Sequence, residues 1–502
     1  LRQNDSSTRF KPASIAVWIA ALALIAAAAI RYLEMPSFWL DEAFVAVSLR
    51  NPSPDLISHR LEPDGTAFPR MYLSAIALLR HFTGYQLWSL RLPSVLFFIA
   101  ATILWARLLI RFSSHRRILG LLAGALLLGS GIWLNYGGQL KQYSLDVFVS
   151  LLPFAVPDHA LDQTLTQGKR KLTILALTVP LLISYTYPYA LAGRLAGWYL
   201  YRVRWRRSEG WKLSVPSLTL FLATAFGSIA LLWFADLRYL SAERPAYTAY
   251  WSSCILGAAL KQGILPALHV LEKFFWGWHR GLIVLIAAVA PLQAIGLWSV
   301  IKRLTNSASS PAPRTGSILV GSVLVIGGLI LASLAGIYPI CADRITLFAQ
   351  VHFQLLTIEG ASFILLRWQA RAAVVAVSVA VLLLSFYAVR DYCRFVVAEP
   401  TENLRPLIKH IDSSISDRLW VHECSVAQVR SLPDPLPVSE VILGNSSSDR
   451  NLKVAPGERI WVLWSHLGAE FCVTSLQEVK ARARSWQVVE ERSGRGLALA
   501  EF

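Results

Sequence analysis

The sequence predicts an α-helical polytopic membrane protein of about eleven transmembrane helices, followed by a small C-terminal α/β soluble domain. Three observations predict it. The 502-residue chain is 55% hydrophobic and only 16% charged, with a mean hydropathy of +0.48, above what soluble domains show. Windows of about 20 apolar residues, enough to cross a hydrocarbon core of roughly 30 Å, recur through residues 1–392 and then cease. Basic clusters at Arg2, Arg9 and Lys11, and at 111–117, 169–171, 202–212, 302–314 and 367–371, fall between those windows as the positive-inside rule requires.

In order, the spans fall at 14–33, 88–110, 118–136, 143–158, 172–187, 188–201, 213–235, 281–300, 317–338, 345–365 and 371–390. The first is followed by Arg31 and Glu34 in place of a small-residue cleavage site, so it reads as a span and not as a cleavable signal. The segment "RMYLSAIALLRHFTG", 70–84, has a short apolar core and carries Arg80 and His81. Counted as a crossing, it would put the 111–117 cluster outside, so it reads as an amphipathic helix in the interface. Eleven spans put the N-terminus in the cytoplasm and the C-terminus outside. Domain 1–392 is then the membrane part, with large outward loops at 34–87 and 236–280 and short outward turns at 137–142, 185–190 and 339–344.

Residues 393–502 mix β-rich runs, "RLWVHEC", "RIWVLWSH" and "GLALAEF", with helical patterns at 401–412 and 470–485, which predicts the small outward α/β domain. The stretch "NSASSPAPRTGS", 306–317, reads as a cytoplasmic linker. The formal charge of +17 belongs to the membrane part, because the tail is slightly acidic; this argues against nucleic-acid binding. All five cysteines fall on the outward side, where Cys424 with Cys472, or Cys341 with Cys393, are the pairings open to an oxidising compartment; free buried thiols are the alternative.

The chemistry-bearing residues cluster at the outward ends of spans. "SFWLDEAFVAVSL", 37–49, sets Asp41 beside Glu42, about 100° apart on a helix, so one can line a cavity while the other holds a loop. The plainer reading is that both cap the N-terminus of the next helix. The same loop carries Asp55, His59, Arg60, Glu62, Asp64 and Arg70, and loops of this length in compact folds are usually functional. "NYGGQLKQYSLDVF", 135–148, brings Lys141 and Tyr143 to headgroup level with Asp146 deeper, and "YPICADRITLF", 338–348, offers Tyr338, Asp343 and Arg344. Each cation alone also fits an ordinary headgroup anchor. There is no Asp-x-Asp, HExxH, CxxC, P-loop or dinucleotide fingerprint, so no metal or nucleotide cofactor is expected, with a divalent ion left open. His422 and His466 read as structural.

In this order, "FWLDEAF", "RLPSVLFF", "LKQYSLDVF", "DRITLF", "ENLRPLIKHI" and "RIWVLWSH" resemble the GT-C superfamily of integral membrane glycosyltransferases over most of the chain. The nearest branch is the bacterial one containing the rhizobial lipopolysaccharide galacturonosyltransferases; the aminoarabinose transferases and protein O-mannosyltransferases are more distant. The resemblance implies a GT-C-like enzyme of the bacterial inner membrane with a periplasmic C-terminal domain. It would pass a sugar, with inversion, from a polyprenyl-phosphate donor to a glycolipid, cell-envelope glycan or protein acceptor.

By the same resemblance Asp41 is the general base, and Glu42, the acid that often follows it, orients the loop or contacts the acceptor. Lys141 and Arg344 hold the donor phosphate, with Tyr143 and Tyr338 as secondary contacts and Arg244, from "SAERPAYTAYWSS", closing over the donor. Asp64, Arg60 and Arg70 belong to the acceptor loop. Two departures stand out: "DGTAFPRMY" replaces a His-Pro-Pro element common in relatives, and Gln139 stands where they often have Glu. The competing reading is a lipid or solute transporter or flippase, whose coupling acids belong near mid-membrane. Here only Asp146 drifts inward. A catalytically inactive scaffold is the third reading.

Overall fold

The structure is a computed structural model and describes residues 12–50, 68–113, 116–167, 171–205, 215–238, 251–277, 283–305, 315–341, 344–367, 371–397, 403–409, 411, 418–421, 423–434, 436–438, 440–443, 460–465, 490–494 and 497–501. In chain order the helices are α1 (Pro12–Glu34), α2 (Leu40–Arg50), α3 (Arg70–Thr83), α4 (Leu87–Ser113), α5 (Arg117–Leu128), α6 (Gly131–Gly137), α7 (Tyr143–Ala155), α8 (Asp158–Gln167), α9 (Lys171–Thr178), α10 (Tyr187–Trp205), α11 (Val215–Leu232), α12 (Leu256–Gln262), α13 (Ile264–Trp276), α14 (Ile283–Thr305), α15 (Gly316–Leu334), α16 (Gln350–Arg367), α17 (Arg371–Val397), α18 (Arg405–Ile408) and α19 (Glu423–Arg430).

All eleven predicted windows fall on helices. Among the described residues, six helices are long and apolar enough to cross a membrane: α1, α4, α14, α15, α16 extended back to Ile345, and α17. Two bent pairs, α5–α6 at 44° and α7–α8 at 81°, bring the number to eight. The remaining windows land on α9 with its 3-10 extension Val179–Leu182 and on α11, which are short, and on α10, which carries Arg194, Arg202 and Arg204.

The chain divides into two compact units. One comprises Leu1–Ala28, Ser94–Gly138 and Gln142–Val396; the other Ala29–Pro93, Gln139–Lys141 and Val397–Phe502. In the first, close helix crossings depend on glycine. A side chain on Gly360 would meet the Leu292 carbonyl at 1.9 Å, and one on Gly296 the Leu356 carbonyl at 2.0 Å, so α14 and α16 touch backbone to backbone. The pair Gly193 and Gly197 of α10 sits against Gly321 of α15 in the same way. Helix α16 is the innermost span: 89% of its apolar window is buried, against 33–56% for the other five.

The sharp turn between α7 and α8 has an identifiable clamp. Pro153 lies inside α7, and the fully buried Arg194 donates to the Pro153 and Val156 carbonyls, each at 3.2 Å, and pairs with Asp158 at 2.5 Å. Carbonyls that a helix end would otherwise leave unsatisfied are thus covered by one guanidinium.

Cys254 is disulfide-bonded to Cys341, and Cys393 is free and exposed. This corrects the Cys341–Cys393 pairing read from the sequence. The physical reason is local: Ile340 N donates to Cys254 O at 2.9 Å and Leu256 N to Ser333 Oγ at 2.8 Å, drawing residues 254–256 onto residues 333–341, with the two cysteine Cα atoms 5.1 Å apart. The Cys424–Cys472 pairing lies outside the described side chains.

In the second unit β1 (Arg418–Val421), β2 (Glu440–Leu443), β3 (Trp461–Ser465), β4 (Glu490–Gly494) and β5 (Leu497–Glu501) form one sheet in the order β2-β1-β3-β5-β4. Strand β1 runs parallel to β2 and β3, and β5 runs antiparallel to β3 and β4. The three β-rich runs of the sequence supply β1, β3 and β5. Leu404, Leu407, Leu419, Val421, Trp461 and Leu463 form their core. Helix α3 is the helix predicted at 70–84 and buries Tyr72, Leu73 and Ile76. Tyr85, just after it, donates to the carbonyl of Ser431 at 2.9 Å; burial raises its pKa, which keeps the donor proton in place.

Candidate functional site

The acid pair opens α2, and the two carboxylates part company at once. Glu42 is 1% exposed, whereas Asp41, one position earlier, is half-buried. Successive helical positions differ by about 100°, so one side chain enters the unit while the other stays at its surface.

Glu42 is held from three directions. Arg91, in the first turn of α4, donates from Nε at 2.8 Å and from Nη2 at 2.6 Å, a bidentate fork. The backbone N–H of Leu140 donates at 2.6 Å and that of Trp39 at 3.3 Å. Arg91 also reaches the carbonyls of Pro36 at 2.6 Å and Ser37 at 3.2 Å and lies over the Phe38 ring at 4.8 Å. A buried carboxylate with this many donors is a structural hub.

Ser37 extends the hub. Its N–H donates to Asn403 Oδ1 at 2.9 Å, its hydroxyl accepts from Leu404 N at 2.6 Å, and Arg405 Nη1 donates to the Met35 carbonyl at 2.8 Å. Three stretches distant in sequence, "FWLDEAF", "RLPSVLFF" and "LKQYSLDVF", therefore meet at the Glu42 carboxylate, and a fourth, "ENLRPLIKHI", joins them through Ser37 and Met35.

Among the predicted site residues, Asp41, Glu42 and Lys141 come together here, since Leu140 ties the 139–141 turn to Glu42; Lys141 is itself buried. Arg70 belongs to the same unit and is buried at the start of α3. Tyr143 and Tyr338 belong to the helical unit: Tyr143 meets Tyr136 edge-on at 5.7 Å, and Tyr338 donates to the Ile345 carbonyl at 2.7 Å and meets Tyr189 at 5.5 Å. Arg344 opens the 3-10 helix Arg344–Ala349, with its side chain outside the described residues, as are Arg60, Asp64 and Arg244. Asp146 is buried in α7 and accepts from Ser184 Oγ, which in turn contacts Thr186 at 3.1 Å. Among the described residues no group of three or more His, Cys, Asp or Glu is placed to hold a metal.

The residue the sequence reading missed is Arg91. It was visible only as a letter of "RLPSVLFF", although an arginine at the mouth of an apolar run, downstream of an acid pair, is the signal that a buried partner exists.

No protein-family model matches the chain, and no curated protein sequence does. Among the solved structures similar to this chain are two that cover 97% of it and 97% of their own length. They are the crystal structure of ArnT from Cupriavidus metallidurans bound to undecaprenyl phosphate, at 12% identity and a TM-score of 0.47, and that of the same protein in the apo state, at 11% and 0.49.

Proposed function

We propose that this protein is an inverting glycosyltransferase of the bacterial cytoplasmic membrane, taking a sugar from a polyprenyl-phosphate donor and passing it to an acceptor on the outer face. The observation that carries the reading is the hub at Glu42, which gathers four of the resemblance's motifs and sets the half-buried Asp41 at its edge.

In this reading the acceptor hydroxyl attacks the anomeric carbon as its proton passes to the Asp41 carboxylate. The bond from that carbon to the phosphate oxygen breaks, and the lipid phosphate departs carrying the electron pair. By the resemblance, Lys141 and Arg344 offset the charge that develops on it, Tyr143 and Tyr338 are secondary contacts of the donor, and Arg244 closes over it. Glu42 is a positioning residue: its carboxylate is occupied by Arg91 and two backbone N–H groups, so it fixes where Asp41 stands. Asp64, Arg60 and Arg70 belong to the acceptor side. The Cys254–Cys341 bridge supports the outward placement, because disulfides persist in oxidising compartments.

The test is transfer in proteoliposomes with a panel of polyprenyl-phosphate sugars, read as donor loss and lipid phosphate release by mass spectrometry. Asp41→Asn is expected to lower turnover by about 10²-fold or more, the share a general base supplies, with an unchanged unfolding midpoint. Equal consumption by both proteins removes Asp41 from the base role. Transport is the second reading, favoured by Asp146 buried with Ser184 inside a predicted span. Movement of intact lipid across the vesicle without phosphate release would establish it.

A further inference from the structure

Helix α13, in the second long loop, has three faces, and packing within the helical unit accounts for one of them. Ala267, Val270 and Phe274, at i, i+3 and i+7, are buried; Phe274 and its neighbour Phe275 meet Phe353 of α16 at 5.2 and 5.4 Å. Ile264, Leu268, Leu271 and Phe275, at i, i+4, i+7 and i+11, form a second, apolar stripe. Ile264 is 74% and Leu268 54% exposed, and Leu260 and Leu265 at the turn from α12 are exposed as well. His269, Glu272 and Lys273 form a third stripe, polar and exposed, with His269 Nδ1 3.2 Å from Glu272 Oε2. At 100° per residue these stripes point in three separate directions, so the exposed apolar face is neither the packed face nor the polar one.

The level at which the helix pair is fixed says what covers that face. Leu256, the first residue of α12, donates from its N–H to Ser333 Oγ at 2.8 Å, and Gly257 leaves no room for a side chain beside the Leu334 carbonyl, so α12 sits on the last residues of span α15. Phe353, which receives α13, lies in the first turn of α16, and α13 ends at Trp276 shortly before span α14 starts at Ile283. The pair is thus held where three spans leave the bilayer. We propose that α12 and α13 lie in the membrane–water interface, with the Ile264–Leu268–Leu271–Phe275 stripe set into the acyl boundary of the leaflet and His269, Glu272 and Lys273 turned to water. A helix with one apolar and one charged face takes this position at a lipid surface. The run Phe274, Phe275, Trp276 suits the headgroup level, where aromatic side chains gather. Lipid is the occupant because the end of α15 that carries α12 already exposes Leu331, Leu334 and Ile337, the surface a span shows to a bilayer, and the stripe continues it. This contact is independent of the sugar-transfer reading.

Spin labels test it in the full-length protein. Nitroxides are attached singly at Ile264→Cys, Leu268→Cys, His269→Cys and Lys273→Cys, in a Cys393→Ser, Cys424→Ser, Cys472→Ser background that keeps the Cys254–Cys341 bridge. All four side chains are exposed, so the labels displace no packing. The protein is held at one copy per nanodisc of phosphatidylethanolamine and phosphatidylglycerol. Relaxation by oxygen, which concentrates among acyl chains, is compared with relaxation by a water-soluble nickel chelate. The oxygen-to-nickel ratio is expected to be severalfold higher at positions 264 and 268 than at 269 and 273. The same ratio at all four positions would place the helix in water and overturn the proposal. Protection of 264 and 268 from both reagents would mean that another segment of the chain covers the stripe, and also overturns it. So does protection that arises only in densely loaded vesicles of the same lipids, which would make a second copy of the protein the occupant.

Discussion

An Arg91→Met substitution strands a carboxylate that is 1% exposed, because two of the four donors to Glu42 come from that one guanidinium. Breaking a buried pair from one side costs about 3–5 kcal/mol, far more than the net worth of the pair, since the remaining charge keeps only two backbone N–H donors and no counter-charge. The expected result is a large fall in the unfolding midpoint for Arg91→Met, and partial recovery in the double variant Glu42→Gln, Arg91→Met, measured as a double-mutant cycle. An additive double variant would refute the hub. Asp41→Asn, one residue away, should leave the midpoint in place. Adjacency and helical geometry make the division of labour between Asp41 and Glu42 legible in the sequence. The identity of the partner is not legible, because the contact spans 49 residues and no local pattern links an arginine in one helix to an acid in another.

At the scale of elements, the crossing of α14 and α16 rests on two positions where a single methyl has nowhere to go. The Gly360 and Gly296 contacts at 1.9 and 2.0 Å are to backbone carbonyls, which cannot rotate aside as a side chain can. Gly296→Ala is therefore expected to force the helices apart and cost about 1–3 kcal/mol, the usual range for overpacking. Gly327→Ala in α15, whose added carbon meets nothing within 4 Å, should change stability by no more than about 1 kcal/mol and in the stabilising direction. Thermal unfolding of the two variants side by side checks this; equal losses would mean that glycine content and not the crossing matters. Hydrophobic length made the helices readable, since a bilayer demands it of any span. The 81° break after α7 was not readable from length, because Arg194, some forty residues later, supplies the donors that let the helix stop there. The Gly193–Gly197 spacing on α10 is a pattern that announces close packing, whereas Gly296 and Gly360 stand singly on two helices and announce nothing.

For the whole molecule, the sidedness we propose rests on two signals of different physical origin. Basic residues between spans favour the cytoplasmic side through their resistance to translocation, and the Cys254–Cys341 bridge favours an oxidising compartment for the segments it joins. They agree only for certain numbers of crossings: adding α3 as a span would move residues 254, 341 and 393 together into the cytoplasm, where the bridge would be reduced. In a Cys424→Ser, Cys472→Ser background, a membrane-impermeant maleimide applied to intact spheroplasts is expected to label Cys393 directly, since it is free and exposed. Cys254 and Cys341 should label only after reduction. Labelling of Cys393 only after the membrane is permeabilised would invert the second half of the chain. The basic clusters at 302–314 and 367–371 would then face outward, and the turn that carries Arg344 would no longer share a side with an outward Asp41. A donor phosphate cannot be held on one side of a bilayer while its sugar is attacked on the other, so that single outcome would remove Arg344 from the proposed site whatever Asp41 does.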